Sequence, residues 1–414
     1  MIRTNFLRIS TNKEKNVSLM LFFYWAVLVL WQNINPAGTA GTAVDTVIKL
    51  GLLGSLSVYF LLNPRSNYRY FLLFGLFVAS IIVSFSMESP ISLRSFVNYL
   101  YPVIFVFLTL LVGDKNEINK RQLLTFLKLV IVIVLYAACY AIIMMPDKFI
   151  GAMNLTNAYG NELKSFFFSN HEYALYLSSG IISCVMCLEL DKNKSFSKVL
   201  LYLIIILFFG VNLILTFSRT FMLGMLCFFI VYCLFNIKSS FSKLALLAAG
   251  TVAIFIFAVS EYREFVFRIL MKENNLAGRD ELSDYALKIF ENGDAIGKLF
   301  GQGVTRVQNT LSNKFEHSSV HNGYLQLLLY FGAVGLGFMI SFILTRLIAS
   351  IKAIKKHKFI GIISVAFVLM CVVVMPFNTT IIFTSQIDSY FLTMFMLIVP
   401  KYVINSINAG NFDR

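Results

Sequence analysis

Charge is what this chain has least of. Only 14% of its 414 residues are Asp, Glu, Lys or Arg, against 58% that are apolar. A water-soluble chain of that length needs far more charge to stay dispersed, so the soluble globular class is excluded. The sequence also shows no internal repeat at solenoid spacing, no low-complexity tract and no soluble domain at either end. A metal-ligating pattern is missing too. Cys184 and Cys187 have the C-x-x-C spacing, but no second pair and no nearby His completes a site. With Cys139, Cys227, Cys233 and Cys371 they lie inside apolar runs, and all six are read as small packing residues.

What the chain does have is a series of long apolar runs. They fall near 17–34, 43–62, 70–87, 96–112, 123–145, 172–190, 199–216, 221–237, 244–260, 322–349, 359–376 and 382–400. Lipid offers no partner to a backbone N–H or C=O, so a spanning segment is a helix or part of a closed barrel. Runs of about 17 to 25 continuous apolar residues fit helices, not alternating barrel strands. The expectation is an all-α polytopic membrane protein with about twelve transmembrane helices. Small residues follow the first run at Ala37-Gly38-Thr39-Ala40, as at a signal cleavage site. The run is longer than a signal core and another span follows at once, so it is expected to be retained.

The net charge of +14 suggests a nucleic-acid partner, but the cations form no stripe. They punctuate the ends of apolar runs, which is the pattern of topology signals. With the N-terminus inside, Arg3, Arg8, Lys13 and Lys15 are cytoplasmic. Inside loops then hold Arg65 and Arg69, Lys115, Lys120 and Arg121, Lys192, Lys194 and Lys198, Lys238 and Lys243, and Lys352, Lys355, Lys356 and Lys358. The short outside loops keep only Arg94, Lys148, Lys164 and Arg219. Both termini are therefore expected in the cytoplasm. Residues 1–260 hold nine spans, 261–321 a large extracytoplasmic loop, and 322–414 three spans and a cytoplasmic tail.

A connection that long in a compact membrane protein has a function of its own. Within it, apolar residues recur on one helical face at Leu282, Tyr285, Ala286, Ile289 and Phe290. Asp280 and Glu281 open this helix and Asn292-Gly293 stops it, after which Gly301 and Gly303 turn the chain.

Few polar residues remain as candidates for chemistry. Arg219, in Thr216-Phe217-Ser218-Arg219-Thr220, is the only charge between Lys198 and Lys238. It could be an interfacial arginine with its head in water. Against that, a cation on the outside opposes the charge bias, and an ionisable group beside a span is by default functional. Arg279 stands just before the loop helix, and spacing alone does not choose it over Arg263, Arg268 and Arg306. His321 opens the run His321-Asn322-Gly323-Tyr324-Leu325 where the loop re-enters the membrane. An imidazole there can accept a hydroxyl proton near neutral pH, although a lone His is more often a hydrogen-bonded interface residue. His317 would share its face if the helix began early, and His171 lies on the same outer side. His357 sits among cytoplasmic lysines. Asp45 and Lys49 neutralise each other one turn apart, and Asp388 in the last span has no partner evident in the sequence.

The order of these motifs is specific. Ser218-Arg219 lies between two spans, and Gly278-Arg279-Asp280-Glu281-Leu282 follows in a large outer loop. Leu299-Phe300-Gly301-Gln302-Gly303, His321-Asn322-Gly323-Tyr324-Leu325 and Gly332, Gly335 and Leu336 complete the series. Together they make the chain, over about 165–350, resemble the O-antigen polymerase and O-antigen ligase superfamily. After Glu281-Leu282 that family often has an aromatic residue, and this chain has Ser283-Asp284.

The resemblance implies a glycosyltransferase of the C type in the bacterial cytoplasmic membrane, working without nucleotide sugar, metal or other cofactor. Its partners would be a polyprenyl-diphosphate-linked oligosaccharide, the growing glycan, membrane lipid, a flippase and a chain-length regulator, and no nucleic acid. It further implies Arg219 and Arg279 as a diphosphate clamp and His321 as the group that orients or deprotonates the acceptor hydroxyl. Tyr324, Asn322, His317 and Ser218 would line the substrate. The leading reading is a polymerase of lipid-linked repeat units for capsule or O-antigen. A ligase that moves finished glycan to another acceptor uses the same donor chemistry. A lipid-linked sugar flippase also fits about twelve spans, but transporters place ionisable groups near the midplane. The candidates here gather on one face, which favours an enzyme.

Overall fold

The computed structural model describes residues 117–153, 162–167, 169–191, 195–236, 276–315, 319–378 and 387–412, and scattered helical positions between 26 and 86. Every regular element among them is helical. In chain order they are α1 (Lys120–Met144), α2 (Pro146–Met153), α3 (Asn170–Leu190), α4 (Phe196–Leu215) and α5 (Arg219–Phe235). After them come α6 (Leu276–Glu291), α7 (Ala295–Phe300), α8 (Val304–Phe315), α9 (Gly323–Lys356), α10 (Lys358–Val374) and α11 (Ile387–Asn408). Among the described residues, five helices are long and apolar enough to cross a membrane: α1, α3, α4, α9, and α10 with the short 3₁₀ turn Met375–Phe377 that follows it. The apolar α5 and the apolar part of α11 are shorter. The chain is an integral membrane protein built from helices. The first four predicted spans and the ninth fall outside the described residues, apart from those scattered positions.

Local chemistry starts most of these helices where the apolar runs begin. Asn119 and Gln122 form a reciprocal capping box at α1, with bonds of 2.8 and 3.1 Å. Ser169, Ser195 and Asp294 cap α3, α4 and α7 by accepting backbone N–H bonds. His357, expected only as one of a cluster of cytoplasmic cations, lies at the N-cap of α10 and accepts from Ile360 N–H at 3.5 Å.

Burial sorts the helices into layers. In α3, 94% of the most apolar window is buried, so it is the central helix; α4, at 22%, lies at the edge. Leu200, Leu201, Ile204, Leu207, Val211 and Ile214 of α4 are exposed, as a lipid-facing ridge must be. α5 packs on α10, and α10 on α9. Inside this apolar bundle polar groups pair with one another. Tyr173 donates to Asn212 Oδ1 at 3.0 Å, joining α3 to α4. At the end where α3 and α5 finish, Tyr232 donates to Glu189 and accepts from Asn236 Nδ2 at 3.1 Å. At that same end the C-terminal segment is tied to the start of α1: Lys120 N–H donates to Phe412 O at 2.9 Å and Asn411 Nδ2 to Glu117 Oε2 at 2.8 Å.

Three boundaries differ from the sequence expectation. The loop helix starts at Leu276, not Asp280, so Arg279 stands inside α6 and not ahead of it. Leu276 and Ala277 are good helix formers and outweigh Gly278. The last helix extends to Asn408 and accommodates Pro400 in its interior. The tenth apolar run is not one straight helix. The 34-residue helix α9 that contains it is interrupted at Gly332, where φ is 65° and ψ is −168°.

That interruption organises the loop. A break in a helix frees the carbonyls of the turn before it, and in a membrane each needs a donor. Leu329 O accepts from Gln302 N–H at 2.8 Å, Phe331 O from Ser80 Oγ at 2.6 Å, and Tyr330 O from Ser84 Oγ. Gly301, with φ 110°, lies backbone to backbone against Tyr330, and Gly332 lies likewise against Leu299. A Cβ at either position would overlap the opposing main chain. The loop thus folds back and docks α7 onto the break in α9, while α6 buries Leu282 and Ala286 and packs on α9 as well.

Candidate functional site

One end of the bundle collects the starts of α3, α5 and α9 and the end of α10. Two close approaches fix this. Gly224, about a turn and a half into α5 from Arg219, has no side chain to separate it from Val374 and Met370 of α10. Gly323, two positions after His321, lies where a Cβ would stand 3.1 Å from the carbonyls of both Met375 and Asn378. Arg219 and His321 are therefore held at the same end of the molecule, each close in sequence to a glycine packed on the end of α10.

The backbone at this end is strained. Among the described residues three non-glycine positions have left-handed backbone: Ser165 (φ 52°), Phe217 (φ 51°) and His321 (φ 56°). All three lie here. Each such residue costs on the order of 1–3 kcal/mol and persists only where its surroundings hold it. The holding contacts are specific. Ser165 Oγ donates to Ala137 O at 2.7 Å. The α4–α5 turn is tied to the segment entering α3 by Leu163 N–H to Leu215 O (3.1 Å) and Asn170 Nδ2 to Thr216 O (2.9 Å). His321 N–H donates to Ser319 Oγ at 3.2 Å, and Ser319 donates in turn to Gln326 at 2.8 Å.

Arg219 is the first residue of α5 and half-buried, with its N–H donated to Phe217 O at 3.1 Å. Ser218 before it is fully buried and makes no capping bond; its hydroxyl lies 2.8 Å from Nδ1 of His171. His321 is partly accessible. Asn322 uses its carboxamide oxygen to cap α9, accepting from Tyr324 and Leu325 N–H at 3.1 and 3.2 Å. Tyr324 is half-buried, and its hydroxyl is 3.4 Å from Val372 O on α10. Arg279 holds a helical position in α6; its side chain, like that of Asp388 in α11, lies outside the described residues. His317, Asp45, Lys49, Arg263 and Arg268 lie outside them too. Arg306, a rival to Arg279 on spacing, is exposed on α8.

Among the described residues, two buried acidic or basic side chains were not singled out in the sequence. Glu172 is wholly buried in the first turn of α3, next to His171. The pattern Ser169-x-x-Glu172 at the start of an apolar run was its signal. Arg346 is 5% exposed in α9, its guanidinium 5.6 Å from the Phe342 ring. It is the one charge in a long apolar stretch, but it lies about 20 Å along the helix from Gly332, towards the other end.

An arginine at a helix start and a strained histidine at the same end of the bundle suit a ligand that carries negative charge and also gives up or receives a proton. No curated protein matches the chain with significant similarity. The family model described as O-antigen ligase does match, over residues 203–340, which run from within α4 to within α9 and contain Arg219, Arg279 and His321. Over that segment, about a third of its length, the chain is similar to the O-antigen ligase family, which supports the resemblance to the O-antigen ligase and polymerase superfamily.

Proposed function

We propose that the protein is a C-type glycosyltransferase that joins polyprenyl-diphosphate-linked oligosaccharide repeat units into a surface polysaccharide outside the cytoplasmic membrane. The observation that carries this reading is the placement of Arg219 and His321 at one end of the bundle, within the segment that matches the family.

The chemistry asks little more than positioning and charge. The bond between the donor sugar's anomeric carbon and the diphosphate oxygen breaks, and its electron pair leaves with the polyprenyl diphosphate. The acceptor hydroxyl oxygen forms the new bond to that carbon and its proton passes to His321. Arg219 and Arg279 meet the charge that grows on the leaving diphosphate. A guanidinium suits this, because its planar fork engages two oxygens at once and keeps its proton. Tyr324, Asn322 and His317 would contact the sugars. In this reading both termini lie in the cytoplasm, as the charge bias of the loops supports, with a flippase supplying the donor and a chain-length regulator as partner.

A ligase is the second reading, favoured by the description of the matching family itself. Purified protein in lipid nanodiscs, given a polyprenyl-diphosphate-linked repeat unit, distinguishes the two. A ladder of longer glycans, lost in His321→Ala and Arg279→Ala, supports the polymerase. Transfer only after a separate acceptor is added supports the ligase. Movement of the lipid-linked sugar across a vesicle membrane with no transfer would replace both with a flippase.

A further inference from the structure

A serine directly before a helix ordinarily turns its hydroxyl back to accept a backbone N–H of the first turn. Ser218 does not; fully buried, it meets the imidazole of His171 at 2.8 Å. That contact runs from the first turn of α3 to the residue next to Arg219. We propose that His171 is a positioning residue for Arg219, acting through Ser218.

The inference rests on the reading of Arg219 as a diphosphate clamp. A clamp has to be held to within about half an ångström to discriminate a transition state from a ground state. Arginine's long side chain gives that precision only if its root is fixed. The root follows Phe217, whose left-handed backbone relaxes unless neighbours prevent it. Asn170 holds the turn at Thr216, before the strained residue. His171 holds it at Ser218, after that residue. Two consecutive side chains of α3 therefore bracket Phe217. The bond tolerates either imidazole tautomer, since a hydroxyl can donate or accept. His171 lies outside the matched 203–340 segment, so this support comes from a part of the chain that the family model does not cover.

The test is steady-state transfer in nanodiscs with a polyprenyl-diphosphate-linked repeat unit as donor. His171→Ala and Ser218→Ala should each lower kcat/KM for the donor about tenfold. The double variant should be no worse than the poorer single. His171→Asn, whose amide can reach the place of Nδ1, should recover to within about threefold of wild type. Should His171→Ala fail to insert, Ser218→Ala, which removes one buried oxygen, carries the same test. Wild-type kcat/KM in either single variant, multiplying losses in the double, or no recovery in His171→Asn would overturn the proposal. Full activity in Arg219→Ala would instead remove the clamp itself. An inactive Arg219→Ala beside a fully active His171→Ala would sink the positioning role alone.

Discussion

Ser84 donates its hydroxyl to the carbonyl of Tyr330, across 246 residues of sequence. With Ser80, one turn away on the same helical face, it satisfies main-chain oxygens that the interruption of α9 sets free. Ser84→Ala leaves Tyr330 O without that donor, and the expected loss is about 1–2 kcal/mol, the upper part of the range for buried polar contacts in membrane proteins. Unfolding of the purified protein in mixed micelles measures it. A Ser80→Ala/Ser84→Ala double variant as stable as wild type would mean that other groups hold the break.

Gly301 of the loop and Gly332 at the break in α9 should tolerate replacement poorly. Alanine at either meets opposing backbone and must adopt positive φ, so a loss of about 3 kcal/mol or more is expected. Gly337, further along α9 with open space around it, is the internal control. There alanine should be neutral or stabilising by up to about 1 kcal/mol. Thermal unfolding of the three variants side by side reads the contrast.

Arg219→Lys tests geometry against charge. If the guanidinium fork engages two phosphate oxygens, lysine recovers little, and kcat/KM should fall on the order of 100-fold in both Arg219→Lys and Arg219→Ala. A lysine variant close to wild type would show that a point charge suffices.

His321→Asn separates fold from chemistry. Asparagine tolerates left-handed backbone, so the variant should insert and unfold like wild type. It cannot accept a proton near neutral pH, and transfer should drop on the order of 100-fold or more. Retained transfer would assign His321 a purely structural part.

At the other end of the bundle, Tyr232→Phe removes the hydroxyl between Glu189 and Asn236. The expectation is a stability loss of about 1–2 kcal/mol with unchanged kcat/KM, since the network stands at the end opposite Arg219.

The sequence showed the parts of this architecture that depend on local chemistry. Apolar runs located the five long apolar helices among the described residues, and the lone arginine in a short turn and the histidine at a loop's re-entry both fall at one end of the bundle. Leu282 and Ala286 were expected on the buried face of the loop helix, and they are buried. The break at Gly332 was not legible. Its carbonyls are satisfied by Gln302 and by serines some 250 positions away, and hydropathy is silent on such contacts. For the same reason Gly301 and Gly303 read as turn residues, whereas Gly301 also lets two main chains touch. α7 and α8 escaped notice because α7 is short and α8 buries only Val304, Val307 and Leu311. Asn322, grouped with the substrate-binding residues, has a helix cap as its visible task; Asn before Gly-Tyr-Leu is itself a capping signal. His171 stood out only as a histidine expected on the same outer side as His321, because its partner Ser218 follows after a whole further helix.

The three left-handed residues at this end have a consequence for anyone wishing to make the protein sturdier. Substitutions that relieve the left-handed backbone at these turns without losing side-chain contacts, such as Phe217→Asn paired with a compensating apolar neighbour, would be favoured by a screen for thermal tolerance. The same changes would loosen the turns that carry Arg219 and His321. Stability and turnover are thus set against each other at these positions, and variants chosen by heat alone should come out hardier and slower.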